Sequence, residues 1–418
     1  MSHNRREFLG DLVAYSSLGL MCPKVFADTL TPPKRLVWIS LNGGWDIIES
    51  TDPKPQSSSG LDMIYNYGEA NLIKGSSDVR IGRWFPNLAT HGESLTVARG
   101  LTMGTTSHDA GRVYIDTSIL SSNGRVNAAS IPAIIASESG ATIPIIQLSG
   151  GTSPQIDRGL LKPLSVVRAQ DLDLYRSLYP SDDAAQQARL QSLDYLKNRL
   201  ITTQSTWTQT DRSRALSAAA DKVAVQINKK IASQLALTAE DKAPFSIRSS
   251  ASDTFALASK LLKNDLCSCI NMGLGGFDTH SQQTRQLQPI LQSFDQLLSA
   301  LIQELKNNNQ LDRTLIIVNS DFGRTPKMNR SQGRDHWPVG GAFLIGGGLK
   351  GSRAIGGTDD SLRALYIDSD GNPTSTATSL QLSPVALGSA AVEWSLGKSY
   401  LNYRPYLQMT NDFNPLIA

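Results

Sequence analysis

Four compact apolar runs, each stopping abruptly in a polar turn, constrain this chain more than any other feature. Leu36-Val37-Trp38-Ile39-Ser40-Leu41 ends at Asn42-Gly43-Gly44-Trp45-Asp46, and Leu95 to Leu101 precedes Gly104-Thr105-Thr106-Ser107-His108-Asp109. Leu266 to Met272 leads into Gly275-Gly276-Phe277-Asp278-Thr279-His280, and Leu315 to Val318 into Asn319-Ser320-Asp321. Short apolar runs closed by glycine or asparagine have the pattern of strands buried on both faces.

Helical periods separate the runs. From Gln282 to Gln310, Leu287, Ile290, Leu291, Phe294, Leu297, Leu298, Leu301, Ile302 and Leu305 recur at spacings of three and four. Asp109 to Ile119 and Ser383 to Leu396 also read as helices, and Gly341 to Gly348 as a further strand and turn. Strands alternating with helices predict an α/β fold: a doubly wound, mostly parallel sheet sandwich. Ser181 to about Asp265, rich in alanine and glutamine with no strand pattern, reads as a helical insertion in one domain spanning 28–418.

The first 27 residues have the plan of an export signal: a basic start (Asn4-Arg5-Arg6-Glu7-Phe8-Leu9-Gly10), an apolar run from Leu12 to Met21, and Val25-Phe26-Ala27 before Asp28. The adjacent arginines match the twin-arginine pattern, with Asn4 and Gly10 departing from it. The apolar run falls well short of the ~20 residues a membrane helix needs, so we expect cleavage near Ala27 and no stable membrane anchor. Cys22 lacks the small preceding residue of a lipidation site. The expected location is therefore periplasmic or secreted, with the twin-arginine translocation machinery as a partner.

A net charge of +3 argues against nucleic acid as a partner. Beyond the signal only Cys267 and Cys269 remain, in a strand-like run without the company of a cysteine-rich zinc site, so we read them as buried thiols.

Chemistry concentrates where the strands end. Of the four histidines beyond the signal, His91, His108, His280 and His336, three sit within two residues of an aspartate. Ligands of open α/β sheets bind outside the carboxyl ends of the strands, where Asp46, Asp278, His280 and Asp321 are predicted to lie. Carboxylates and imidazoles gathered there fit a divalent metal, which would offset the mutual repulsion of the carboxylates. Two plain alternatives stand beside this: aspartates after strands cap helices, and histidines can be buried, hydrogen-bonded core residues. Ser107, ahead of a helix, is either a nucleophile or an ordinary N-cap. Arg324 and Arg334 either grip an oxyanion or pair with a ligand aspartate.

Gly43-Gly44-Trp45-Asp46, Gly275-Gly276-Phe277-Asp278-Thr279-His280, Ser320-Asp321-Phe322-Gly323-Arg324-Thr325-Pro326 and Gly333-Arg334-Asp335-His336-Trp337-Pro338 together resemble the exported family called domain of unknown function 1501. That family is placed among alkaline-phosphatase-like and sulfatase-like folds. The resemblance implies one or two divalent metals (zinc, manganese, calcium or magnesium) at strand ends, with Asp46, Asp278, His280, Asp321 and His336 in ligand places. Members with established chemistry carry an aspartate-histidine pair where this chain has Asp321-Phe322, so a full two-metal set is not implied. No hydroxyl or cysteine stands in a nucleophile motif of that family, so Thr105, Thr106 and Ser107 at the end of the second strand are the nearest candidates. His108 stands beside them as a catalytic residue or substitute ligand, and Arg324 is the oxyanion-holding candidate. The expectation is an exported metal-dependent hydrolase of a phosphate or sulfate ester. The alternative is a non-catalytic exported protein with a structural metal, acting in surface assembly or on an exported protein partner.

Overall fold

The computed structural model describes residues 34–54, 69–148 apart from six positions between 122 and 142, 166–168, isolated positions between 184 and 195, 235–376, 380–403 and 415–417. The predicted export signal at residues 1–27 and most of the predicted insertion lie outside the described residues.

The main strands are β1 (Arg35–Leu41), β2 (Leu95–Thr102), β3 (Ile143–Gln147), β4 (Val166–Arg168), β5 (Cys267–Leu274), β6 (Thr314–Ser320), β7 (Val339–Gly346) and β8 (Arg353–Gly356). They form one eight-stranded sheet in the order β8-β2-β7-β6-β1-β5-β3-β4. Every pairing is parallel except those of β7, which runs antiparallel to β6 and β2. The carboxyl ends of β1, β2, β5 and β6 and the start of β7 therefore meet at one edge of the sheet.

The strands form where the apolar runs place them, because both faces are covered. Along β1, Val37, Ile39 and Leu41 enter one core cluster and Leu36 and Trp38 the other, as a side-chain period of two demands. Among the described residues most of the covering is done by α1 (His108–Thr117), α2 (Ile131–Glu138), α3 (Ser252–Lys263), α4 (Gln283–Asn307) and α5 (Pro384–Leu396). Leu287, Leu291, Phe294 and Leu298 of α4 face one cluster, with Phe255 of α3 edge-on to Phe294 at 6.3 Å. Helices α1, α2 and α5 cover the other face through Ile115, Ile134 and Leu387. Burying one such side chain is worth about 2 kcal/mol, so this face alternation fixes the register of β1.

The sheet is mostly parallel with helices on both faces, as predicted. Helix α3 falls within the range read as an insertion, yet it packs directly in the core. Cys267 and Cys269 are free and fully buried, and burial raises both thiols, Cys267 to about 12. Among the described residues no helix is long and apolar enough to cross a membrane.

Candidate metal centre

The site is assembled at the shared sheet edge. After β1 the chain turns through Gly43 and Gly44, both left-handed with φ of +118° and +75°. A Cβ on Gly43 would collide with the backbone of Asp278, and one on Gly44 with the ring of Phe322. Glycine is thus required both by conformation and by the closeness of the segments after β5 and β6. His108 opens α1 after β2. His336 lies just before β7, in a two-residue antiparallel ribbon with Gly323 and Arg324.

Three histidines surround Asp278. The ligand atoms of His108, Asp278 and His336 lie within 4.8 Å of one another. His108 Nε2 is 3.5 Å from Asp278 Oδ2, and His336 Nε2 is 3.3 Å from Oδ1. His280 Nε2 stands 3.0 Å from Asp278 Oδ1 and 3.0 Å from His336 Nε2. The ring of Phe322 packs 4.6 Å from both His108 and His336, giving the cluster an apolar wall.

The far nitrogen of each ring decides what the near one can do. His108 Nδ1 meets Asp321 Oδ2 at 2.5 Å, His280 Nδ1 meets Asp335 Oδ1 at 2.7 Å, and His336 Nδ1 meets the Thr106 carbonyl at 2.8 Å. A carbonyl only accepts, so the proton of His336 is on Nδ1, and carboxylates favour the same tautomer in the other two rings. In neutral rings that leaves three Nε2 lone pairs directed at one carboxylate. Two of these nitrogens lie 3.0 Å apart, and His108 Nε2 is buried with no hydrogen-bond partner. Lone pairs so placed repel unless a proton or a cation lies among them. Imidazoles anchored through Nδ1 to carboxylates or carbonyls, with Nε2 turned inward, are the donor arrangement of metal sites.

The carboxylates are tuned for the same end. Burial pushes Asp278 up, but the Arg324 guanidinium, bonded to Oδ1 at 2.5 Å, together with His336 and His108, outweighs it and holds the carboxyl at about 2. Asp321 is also held low: its burial is overcome by His108, Ser320 and the Gly44 amide, the last donating at 2.6 Å. The hydrogen bond to Asp321 raises His108 above the ordinary histidine range, against burial, and the charges of Asp321 and Asp278 add to it.

Beneath the cluster the charged side chains of Asp46, Arg324 and Arg334 are engaged by protein partners. Arg324, fully buried, donates to the carbonyls of Gly43, Gly44 and Arg334 as well as to Asp278. Asp46 is buried, accepts from the Ile48 amide at 2.8 Å and from the Gln283 side chain, and pairs with Arg334 at 3.1 Å. Gln283 in turn accepts from Thr279 Oγ1 at 3.1 Å. A relay from Thr279 through Gln283 and Asp46 to Arg334 thus joins the loop carrying Asp278 and His280 to the loop carrying His336. Glu49, bridged to Arg83 at 3.1 and 3.2 Å, is raised by burial and by Asp46 to about 7 despite that arginine.

The predicted residues fall into three places. His108, Asp278, His280 and His336 converge. Asp321 contacts the cluster through His108, while Asp46 and Arg324 lie beneath it, bonded to protein. Ser107 is the N-cap of α1, but its exposed hydroxyl makes no capping bond. Sequence reasoning did not single out Gln283, the Thr106 carbonyl or Asp335 as functional. Only Asp335, adjacent to His336, left a signal that could have been followed.

The chain is thus a mostly parallel α/β protein with a histidine-aspartate cluster at the carboxyl edge of its sheet. It belongs to the family described as protein of unknown function DUF1501, which matches residues 33–366. No curated protein matches it. Among solved structures it is similar to the lipoteichoic acid synthase LtaP from Listeria monocytogenes, at 9% identity and TM-score 0.37 over 84% of this chain and 74% of that one. A sulfatase from Pseudoalteromonas sp. is similar at 11% identity and TM-score 0.36, over 87% of this chain and 68% of that one. A member of the alkaline phosphatase superfamily from Vibrio parahaemolyticus gives 12% identity and TM-score 0.32, over 85% and 72%.

Proposed function

We propose that this protein is an exported hydrolase of phosphate or sulfate esters that depends on a divalent cation held by His108, Asp278 and His336, with His280 completing the set. The observation that carries the reading is the triple tautomer lock: three Nδ1 atoms anchored outward and three Nε2 atoms aimed at Asp278. A divalent cation bound there would polarise an ester oxygen and lower the pKa of an attacking water or hydroxyl.

The protein's own groups supply the rest. Arg324 keeps Asp278 ionised, and Asp321 keeps the His108 ring turned toward it. Ser107, exposed and one residue before His108, offers a hydroxyl at the amino end of α1, where free amides favour a developing negative charge. Phe322 excludes water from one side of the imidazoles. Export through the twin-arginine route, which carries folded proteins, fits a cation loaded before translocation, and residues 1–27 are the signal.

The test measures bound metal by elemental analysis and hydrolysis of 4-nitrophenyl phosphate and 4-nitrophenyl sulfate. Wild-type protein should hold metal and turn over one ester class, while Asp278→Ala and His336→Ala lose both. Metal-free wild-type protein, or variants with full activity, would sink the reading.

One observation favours a second reading, a non-catalytic exported protein that keeps the cation for shape and serves surface assembly or a partner. Arg324, the residue expected to grip an oxyanion, has its donors engaged by protein groups. A stoichiometric envelope partner retained by Asp278→Ala protein would support it. Ester turnover that depends on the cluster would remove it.

A further inference from the structure

The apolar stripe of α4 has one exception. Ile290 is in register with Leu287, Leu291 and Phe294, yet it is only partly buried, as is Leu274 at the end of β5. Both line a cavity of about 410 Å³ between the end of β5, the first turns of α4 and the segment leading into α3. Such a volume lies within the range of small-molecule sites, roughly 300–1,000 Å³.

The cavity exists because β5 outruns its neighbour. The pairing of β3 with β5 ends at Gln147 opposite Asn271, whose carbonyl takes the Leu148 amide at 2.8 Å. Met272, Gly273 and Leu274 continue beyond that point while still paired to β1. The lining divides by chemistry. Ser249, Ser250, Thr254 and Ser293 bring four hydroxyls, Met272, Leu274, Pro289 and Ile290 an apolar surface, and among the described residues no charged side chain lines it. Asp278 lies three residues beyond Gly275 of the lining, so by chain reach the cavity stands within about 10 Å of the histidine cluster.

We propose that this cavity binds a neutral polyhydroxylated ligand of sugar-ring size, and that it receives the alcohol part of the ester hydrolysed at the cluster. A charged ligand would lose its hydration there without gaining a countercharge. A purely apolar one would give the hydroxyls of Ser250, Thr254 and Ser293 no partner, while Ser249 already accepts the Ala251 amide at 3.3 Å. A sugar ring has an apolar face for Ile290 and Leu274 and hydroxyls for the serines and Thr254. Its role as an alcohol subsite rests on the hydrolase reading; its ability to bind a neutral sugar does not.

The test is saturation-transfer NMR of the full chain with glucose, galactose, mannose, N-acetylglucosamine, maltose and lactose, with and without chelator. At least one sugar should bind in both conditions. Ser293→Leu, which fills the cavity, should weaken that binding at least tenfold. The double variant Thr254→Val with Ser293→Ala, which removes hydroxyls without adding bulk, should weaken it as well, so that a folding defect in one variant does not decide the outcome. Sugar binding to protein that takes up no cation would leave the cavity assignment standing and overturn the hydrolase reading. No binding by any sugar, or binding that survives both variants, would overturn the cavity assignment.

Discussion

Two groups of charged and polar residues lie next to each other at the carboxyl edge of the sheet, and they differ in what remains unpaired. In the lower group, Asp46, Asp321, Arg324 and Arg334 are buried and bonded to protein partners. In the upper group, the three Nε2 atoms of His108, His280 and His336 face one carboxylate, and one of them is buried without a partner. The lower group is therefore paired within the protein and sets geometry, while the upper group presents the donors of the proposed cation site. Residue type alone does not separate them, since aspartates occur in both.

Breaking the lower group should have the largest effect. Arg324→Met strips donors from the carbonyls of Gly43, Gly44 and Arg334 in a fully buried place. It should cost about 3–5 kcal/mol in urea unfolding, with or without chelator. A loss below about 1 kcal/mol would mean that the clamp is not structural.

Breaking the upper group should leave the chelated fold nearly unchanged. His336→Ala protein should melt within a few degrees of wild type in chelator, because the side chain is partly exposed and the variant relieves the lone-pair contact with His280. It should also lose the rise in melting temperature that added zinc or manganese gives the wild type. An undiminished rise would place the cation elsewhere.

The relay between the groups should give an intermediate result. Gln283→Met removes a link between Thr279 and Asp46 without touching a ligand atom, and cation affinity should fall about 10–100-fold by calorimetry. An unchanged affinity would show that the two loops are positioned independently.

The last effect is one of pH. Glu49 is raised from 4.5 to about 7 by burial and by Asp46. Its contribution to stability is fully present below about pH 4.5 and is lost as pH rises through 7, since the folded state then has to ionise a buried carboxyl. Glu49→Gln should therefore gain on wild type by about 2–3 kcal/mol between pH 5 and pH 8 in thermal melts. A gap that is constant across that range would contradict the assignment.

The comparison also separates what could be read in the sequence from what could not. Runs such as Leu36 to Leu41, closing in glycine and aspartate, marked the strands and their functional ends, because burial on both faces writes itself into local composition. The approach of Asp278 and His280 was foreseeable from the same rule about strand ends, and that of His336 from the family resemblance. The division of labour among the aspartates was not. Asp46 and Asp278 both follow strands through a Gly-Gly-aromatic-Asp sequence, and only the long-range arrival of Arg334 and Gln283 turns Asp46 into a buried link. Arg324 likewise carries no local mark of being enclosed by the β1 turn. Ile290 sat correctly in the helical period, but its partial burial beside the cavity was not legible there.

The central claim, that the upper cluster is a cation site, is tested most directly by calorimetric titration of chelator-stripped protein with zinc, manganese, magnesium and calcium. At least one cation should bind with a stoichiometry near one. Its affinity should rise with pH, since binding at His108 Nε2 must displace the second proton, which Asp321 and Asp278 favour on that ring, and binding should vanish in His108→Ala and His336→Ala. Absence of binding by all four cations, or binding that both variants retain, would contradict it.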